Sequence, residues 1–323
     1  MKLSFVLLLA TAFVVYSETE DHHNRRFNVQ PGGRLLVDVD FGSIEVTTNG
    51  MSEVEVDVVR KVTRSSKEEE EAFLADRPVM VSQEGDTITV RSRAENRRNE
   101  PSRGKQRTEG RYRITVPSKF NADLKTSGGA IAVQDLTGEV NAATSGGALT
   151  FARLHGPLDG KTAGGTIQIT GCEGQQSVKT SGGSITLTGG TGSFDGKTSG
   201  GPVKVTDFRG PVQVKSSGGP LTIENASGKL DGKTSGGAIS ASFAAPITEE
   251  VNLATSGGAV TLRVPEQSAF DLDASSSGGN VRSELPVDVP GKPVPNRLKG
   301  PVNGGGKPVV LHSGGGSIRV EKL

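Results

Sequence analysis

Apolar and polar residues alternate in short runs along most of this chain, and each run ends in a glycine-containing turn. In one unit, Ile167 and Ile169 alternate with Gln168 and Thr170, after a first alternating run at 158–162. Alternation with a period of two predicts β-strands that have one buried face. Two such strands and two tight turns fill each unit, which leaves no room for a helix.

A glycine pair recurs once in each unit and sets the period of the repeat. The pairs begin at Gly128, Gly146, Gly164, Gly182, Gly200, Gly218, Gly236, Gly257 and Gly278, with a last copy at Gly314. Their spacing is constant over the first seven copies and slightly longer over the next two steps. We expect these glycines to supply positive φ at the turns. A short fixed period is typical of one supersecondary unit stacked on copies of itself. The sequence therefore predicts an all-β fold, a single-chain β-solenoid of about nine to ten coils of 18–21 residues.

Alignment of the copies separates inward from outward positions. One inward column is β-branched or leucine throughout (Ile131, Leu149, Ile167, Ile185, Val203, Leu221, Ile239). Another is threonine or serine (Thr126, Thr144, Thr162, Thr180, Thr198, Ser216, Thr234). We expect the hydroxyls of this second column to bond to one another up the stack. The single cysteine, Cys172, falls in an inward column, so it is predicted to be a buried small hydrophobe.

The outward positions carry charge in a regular pattern. Lysines share one position (Lys161, Lys179, Lys197, Lys215, Lys233), and aspartates precede them by two residues in alternate coils (Asp159, Asp195, Asp231). Coils stack about 4.8 Å apart, so these side chains should form a ladder. One interpretation is a solvated, solubilising face. The other is a possible polymer-binding ladder that matches a repeating charged polymer.

The same aspartates raise the alternative of a polysaccharide-active β-helix enzyme, a lyase or hydrolase. Asp159 and Asp195 should lie about 9.6 Å apart, near the upper limit for an inverting carboxylate pair. The setting recurs at Asp231, however, whereas a catalytic site is normally unique and asymmetric. We therefore expect no enzymatic activity and no catalytic residue.

Residues 18–118 differ in kind and are predicted to be a β-rich capping region. Strands are expected at 35–40, 43–47 and 54–59, followed by a hairpin of 79–83 with 87–91. Ser66 and Glu69 form a capping box that predicts one short helix at 67–76. The region ends in a basic loop, 91–113, with nine basic and three acidic residues. Its possible contacts with anionic glycan or lipid headgroups are Arg97, Arg98, Arg103, Lys105 and Arg107; the alternative is a solvated loop.

The remaining segments complete the domain division. Residues 1–17 resemble a secretory signal peptide, with Lys2, an apolar stretch and small residues before a cleavage site near Ser17. The solenoid is assigned to 119–284. Residues 285–323 are predicted to be a Pro/Gly-rich loop followed by a C-terminal capping coil.

Composition excludes several classes of function. The 323 residues carry a net charge of +1, and the basic loop lacks aromatic residues for base stacking, so no nucleic-acid partner is expected. A lone cysteine cannot form an intramolecular disulfide. The histidines match no metal or triad pattern, and the His22-His23 pair is expected to be disordered. We expect no metal, no cofactor and no transmembrane span in the mature chain.

Several motifs together resemble a known family. They are the Thr-Ser-Gly-Gly-Ala-Ile repeats, the segments 41–46 and 112–117, and the closing 313–318, and they are similar to the bacterial putative-adhesin family of unknown function. The resemblance implies a β-solenoid, export or envelope association, and no catalytic residue.

The leading hypothesis is a non-catalytic, exported adhesin-like or envelope scaffold in the periplasm, at the cell surface or outside the cell. Its partner would be an anionic polysaccharide or envelope component. The alternatives are the enzyme and a self-assembling structural protein; the sequence leaves the oligomeric state open.

Overall fold

The computed structural model describes residues 18–94, 107–290 and 294–323, and it is almost entirely β-structure. The strands form two sheets of 14 strands each, which enclose one continuous hydrophobic core. Each coil contributes one strand to each sheet, and neighbouring coils run parallel. The predicted all-β solenoid is therefore confirmed.

The regular coils stack in register along the middle of the chain. Lys161 pairs with Lys179 and Asp159 with Ser177, so equivalent positions of successive repeats become neighbours on adjacent strands. Their strands are β8 (Asn121–Thr126), β9 (Ile131–Gln134), β10 (Val140–Thr144), β11 (Leu149–Ala152), β12 (Leu158–Thr162), β13 (Ile167–Thr170), β14 (Glu173–Lys179), β15 (Ile185–Thr188), β16 (Thr191–Thr198), β17 (Val203–Thr206), β18 (Val212–Ser216), β19 (Leu221–Glu224), β20 (Leu230–Thr234), β21 (Ile239–Ser242), β22 (Val251–Thr255) and β23 (Val260–Val264).

The core is the space between the two sheets, filled by the inward columns. Ile131, Leu149, Ile167 and Ile185 are each fully buried. Cys172 is buried as predicted. Burial raises the pKa of its thiol, because the charged thiolate would lose its hydration. Cys172 is thus a packing residue in an apolar environment.

The structure gives a different reason for the glycine pairs. These glycines lie outside the positive-φ region, so the expectation that they supply positive φ is wrong. A Cβ at Gly165 would lie 1.8 Å from the carbonyl oxygen of Gly147 in the preceding coil, whereas a Cβ at Gly164 would meet nothing within 4 Å. The second glycine is required because the backbones of adjacent coils approach closely at this turn. Positive φ occurs instead at the opposite turn, as at Gly156 with φ +141°.

The inward threonines satisfy the backbone of these turns. Thr162 Oγ1 donates to the carbonyl of Gly147 at 2.9 Å and accepts from the amide of Gly165 at 3.1 Å. The same two bonds recur at Thr144, Thr180, Thr198 and Thr234. The expected hydroxyl-to-hydroxyl ladder is therefore wrong. Buried backbone groups without a partner are costly, so the hydroxyl bonds to them instead.

The N-terminal region extends the same two sheets and then closes them. Its elements are β1 (Thr19–Asn28), β2 (Arg34–Val39), β3 (Ser43–Asn49), β4 (Glu53–Thr63), α1 (Lys67–Ala75), β5 (Met80–Glu84), β6 (Thr87–Ser92) and β7 (Arg107–Pro117). The helix begins at the predicted cap, where Ser66 Oγ accepts from the amide of Glu69. The predicted hairpin is β5 and β6, paired antiparallel.

The order of coils in space differs from their order in sequence at this end. The β2–β3 coil stacks directly on β8 and β9. The later β6–β7 coil lies outside β2–β3. Antiparallel strands β4 and β1 then cover β7 in one sheet, and β5 covers β6 in the other.

Strand β1 contains the histidine pair that was expected to be disordered, so that expectation is wrong. β1 pairs with β4 along its whole length, and His22 Nε2 lies 2.6 Å from Asp57 Oδ1. The buried Arg60 on β4 also donates to the carboxylate of Asp21 and to Ser92. These polar contacts hold the edge strand in place.

At the C-terminal end, too, the order of the coils in space differs from their order in the sequence. Its strands are β24 (Phe270–Ser276), β25 (Val281–Ser283), β26 (Arg297–Val302), β27 (Lys307–Ser313) and β28 (Ile318–Lys322). The β27–β28 coil lies between the β22–β23 coil and the β24–β25 coil. The last coil in the sequence is therefore not the outermost coil in space, where β25 and β26 form the sheet edges.

Candidate functional site

One face of the solenoid carries the predicted lysine ladder. Lys161, Lys179, Lys197, Lys215 and Lys233 occupy equivalent positions on five consecutive strands of one sheet, β12 to β20. Neighbouring strands lie about 4.8 Å apart. The structure thus brings these five predicted residues together in a continuous row.

The ladder alternates between ion-paired and unpaired lysines. The aspartate two residues earlier contacts its lysine in every second coil: Lys161 with Asp159 at 2.8 Å, Lys197 with Asp195 at 2.6 Å and Lys233 with Asp231 at 3.3 Å. In the intervening coils the equivalent positions are Ser177 and Gln213. Among the described residues, Lys179 and Lys215 have no carboxylate within ion-pair distance.

These charges remain available to a ligand because their side chains are exposed or about half-exposed. The side chains of Lys161 and Lys197 are 63% and 44% exposed. Ion pairs in this setting contribute about 0–1 kcal/mol each. An incoming anion can therefore compete with the aspartates, and the unpaired lysines give the row an excess of positive charge.

The predicted basic loop, 91–113, is shorter than expected, because 91–92 and 107–113 belong to strands β6 and β7. Arg97, Arg98, Arg103 and Lys105 lie outside the described residues. Arg107 begins β7 and forms an exposed ion pair with Glu109 at 2.5 Å.

Two of the three aspartates of the enzyme alternative, Asp195 and Asp231, share one groove on the ladder face, and Asp159 does not line it. Asp195 and Asp231 line a groove of about 360 Å³ together with Phe194, Gln213 and Lys229. Each aspartate has one buried oxygen without a hydrogen-bond partner in the described structure. Each also contacts the lysine two residues later on its own strand, so the two carboxylates have the same kind of partner. The two aspartates thus have like environments, and the geometry does not assign them separate acid and base roles.

Neither a metal-binding cluster nor a membrane-spanning helix occurs in the described part of the chain. There, no three His, Cys, Asp or Glu side chains converge in a way that could hold a metal ion. Within the same residues, no helix is both long and apolar enough to cross a bilayer. The predicted signal segment, 1–17, lies outside the described residues.

The fold and this face define the class of protein: a parallel β-solenoid repeat protein with a periodic charged surface. Residues 35–321 match the family described as Toastrack DUF4097. The chain belongs to this family, whose function is unknown, and the resemblance inferred from the sequence motifs is confirmed. No protein of curated function matches the chain in sequence.

Several solved structures are similar to this chain over most of its length, at low sequence identity and low TM-score. A putative adhesin from Bacteroides fragilis is 13% identical with a TM-score of 0.36, and the alignment covers 94% of this chain and 97% of that one. A putative adhesin from Parabacteroides distasonis is 12% identical with a TM-score of 0.39 and the same coverages. A putative lipid binding protein from the same species is 13% identical with a TM-score of 0.38, again with 94% and 97% coverage. At these TM-scores the likenesses do not decide what this chain binds.

Proposed function

We propose that this protein is a non-catalytic, exported adhesin-like or envelope scaffold that binds an anionic polymer along its lysine ladder. The observation that carries the proposal is the row of five stacked lysines, two of which have no carboxylate partner in the described structure. The secretory pattern predicted for residues 1–17 supports export to the periplasm, the cell surface or the exterior.

A polymer is the ligand that suits a periodic surface. Each exposed lysine binds an anion weakly, but a chain that contacts several lysines gains from every contact while it loses its translational freedom once. The ladder has no aromatic platform on which a neutral sugar ring could stack; its outward positions are lysine, alanine, aspartate, asparagine, serine and glutamine. Because the contacts are exposed charges, the affinity should fall steeply with salt.

The test is a panel of anionic and neutral polysaccharides incubated with the purified protein. Bound protein and newly released sugar ends are measured in the same tubes. The double variant Lys179→Gln with Lys215→Gln removes the two unpaired lysines. The matched control is Arg282→Gln with Arg319→Gln, which removes two exposed cations, also without a carboxylate partner in the described structure, from the outer face of the other sheet.

The proposal predicts salt-sensitive binding without cleavage, and a loss of affinity in the ladder variant that exceeds the loss in the control. Equal losses in both variants would show that binding follows net charge and not the ladder. Newly released ends would support the enzyme alternative, and Asp195→Asn should then abolish them. Sedimentation of the protein alone tests self-assembly, which requires a concentration-dependent mass.

A further inference from the structure

The lysine column has a gap near its N-terminal end. Lys125 and Lys161 occupy the column on β8 and β12, but the strand between them carries Ala143 at the same position. The two lysines are therefore two strand spacings apart, about 9.6 Å. The volume that a lysine side chain fills in the other coils is left open above Ala143.

This gap is a recess of about 430 Å³, which we name the Ala143 recess. Small residues form its floor, and cationic side chains from separate strands surround it. The principal lining residues are Ala143, Ser145, Arg93, Lys125, Lys161 and Lys179.

The cations around the recess are not all neutralised. Lys179 has no ion-pair partner among the described residues. Arg93 reaches Asp38 through its terminal nitrogen at 2.5 Å, but its buried Nε has no hydrogen-bond acceptor within the described structure. Lys125 is paired with an aspartate on its own strand at 3.2 Å, in the exposed manner of the other ladder lysines. The recess thus offers one guanidinium in an ion pair, one ammonium without an ion-pair partner in the described structure and two ammoniums in weak pairs.

We propose that the Ala143 recess binds one sulfate or phosphate ester group of the anionic polymer, which fixes the register of that polymer on the ladder. The inference rests on the proposed function. Lys125 and Lys161 approach the space above Ala143 from the two neighbouring strands, each about 4.8 Å away. Arg93 and Lys179 come from more distant parts of the same sheet and add positive charge around the recess. A monoester has three free oxygens that diverge toward donors on both sides, whereas a carboxylate has two oxygens in one plane.

The test places a carboxylate at the centre of the recess. Ala143→Glu should fold normally, because equivalent positions in other coils carry a lysine side chain of similar length. The matched control is Ala254→Glu, since Ala254 occupies the same column one strand beyond Lys233. Both variants have the same net charge and differ only in the coil that carries the change.

The probes are a sulfated heparin tetrasaccharide, short inorganic polyphosphate and an oligogalacturonate that carries carboxylates only. Calorimetric titration gives each Kd, and amide chemical shifts locate each ligand. We expect wild type to bind the sulfated or the phosphorylated probe more tightly than the oligogalacturonate, with shifts centred on Ala143. The comparison of those two probes distinguishes a sulfated polymer from a phosphorylated one.

For the preferred probe, Ala143→Glu should raise Kd about tenfold and Ala254→Glu less than about twofold, because the repulsion falls with distance. Equal effects of the two variants, or equal affinity for all three probes, would overturn the recess while leaving ladder binding intact. An absence of binding by wild type to every probe would overturn both the recess and the proposed function.

Discussion

The two glycines of a turn in the regular coils should respond to alanine in opposite ways. In the turn at 163–165, Gly165 faces the Gly147 carbonyl of the preceding coil, whereas Gly164 faces open space. Neither has the positive φ that would penalise alanine by itself. The pair therefore isolates the effect of backbone approach between coils from the general effect of losing a glycine.

The magnitude follows from the geometry at Gly165. A Cβ there would lie 1.8 Å from the Gly147 oxygen, while ordinary contact begins at 3.4 Å, so the coils would have to separate by the difference between these two distances. That separation breaks the bond from Thr162 Oγ1 to Gly147 and the bond from the Gly164 amide to the Ser145 carbonyl, which are 2.9 and 3.1 Å long. Each lost bond costs about 1 kcal/mol and the residual strain about 1–3 kcal/mol. Gly165→Ala should therefore lower the free energy of unfolding by about 3–5 kcal/mol.

Gly164→Ala should raise the free energy of unfolding by no more than about 1 kcal/mol, because alanine restricts the conformations of the unfolded chain. Urea unfolding followed by far-ultraviolet circular dichroism measures both variants. Hydrogen exchange of the Ile167 amide, which bonds to the carbonyl of Ser184 at 2.9 Å, reports local opening of the affected coil. If Gly165→Ala and Gly164→Ala differed by less than about 0.5 kcal/mol, the usual scatter of neutral substitutions, the close-approach explanation would be refuted.

Three further predictions concern other parts of the fold. Thr162→Val should cost about 2–3 kcal/mol in the free energy of unfolding, because it leaves a partly buried carbonyl and a partly buried amide unpaired. The half-exposed Thr186→Val on the outer face is the control, and equal costs in urea unfolding would contradict the role of the hydroxyl. The Cys172 thiol should resist alkylation at pH 8 in the native state and react on denaturation, because burial raises its pKa. Its contribution to stability is present below its unfolded pKa of about 9.0 and is lost as the pH rises through the folded pKa. Rapid labelling of the native protein would refute the assignment of Cys172 as a buried packing residue. Burial opposes ionisation of Asp21, but hydrogen bonds from Arg60 and His23 lower its pKa overall. The contribution of Asp21 to stability is therefore present above the unfolded pKa of 3.8 and is lost as the pH falls through the folded pKa. Asp21→Asn should speed hydrogen exchange in β1 at neutral pH, and unchanged exchange would show that the pair of Asp21 with Arg60 does not hold the strand.

The sequence by itself was sufficient for the repeating part of the molecule. In this part, each residue stacks on its equivalent one coil away. The same contacts therefore recur in every coil, and the sequence shows them as the constant period of the glycine pairs, the alternation around Ile167 and Ile169, and the inward column that contains Cys172. The short helix after Ser66 and the hairpin at 80–92 were also predictable. Their signals lie within a few residues of the chain, where capping and turn preferences act directly.

The charged ladder was predictable for the same reason, since stacking carries Lys161 onto Lys179 and so along the face. The recess could not be predicted from the sequence. It depends on Ala143, which in the sequence is one of many small outward residues, and on Arg93, which is distant from Ala143 along the chain. The roles of the threonine hydroxyls and of the second glycine also required the distances between coils.

Only the tertiary structure decided which coils are neighbours at the two ends. The β6–β7 coil lies outside β2–β3, and the β27–β28 coil lies inside β24–β25. Coils with the same pattern of inward residues present equivalent edges to one another, so local sequence does not distinguish one stacking order from the other. The choice depends on the complete set of long-range contacts at each end, including the antiparallel strands β1, β4 and β26 that close the sheets.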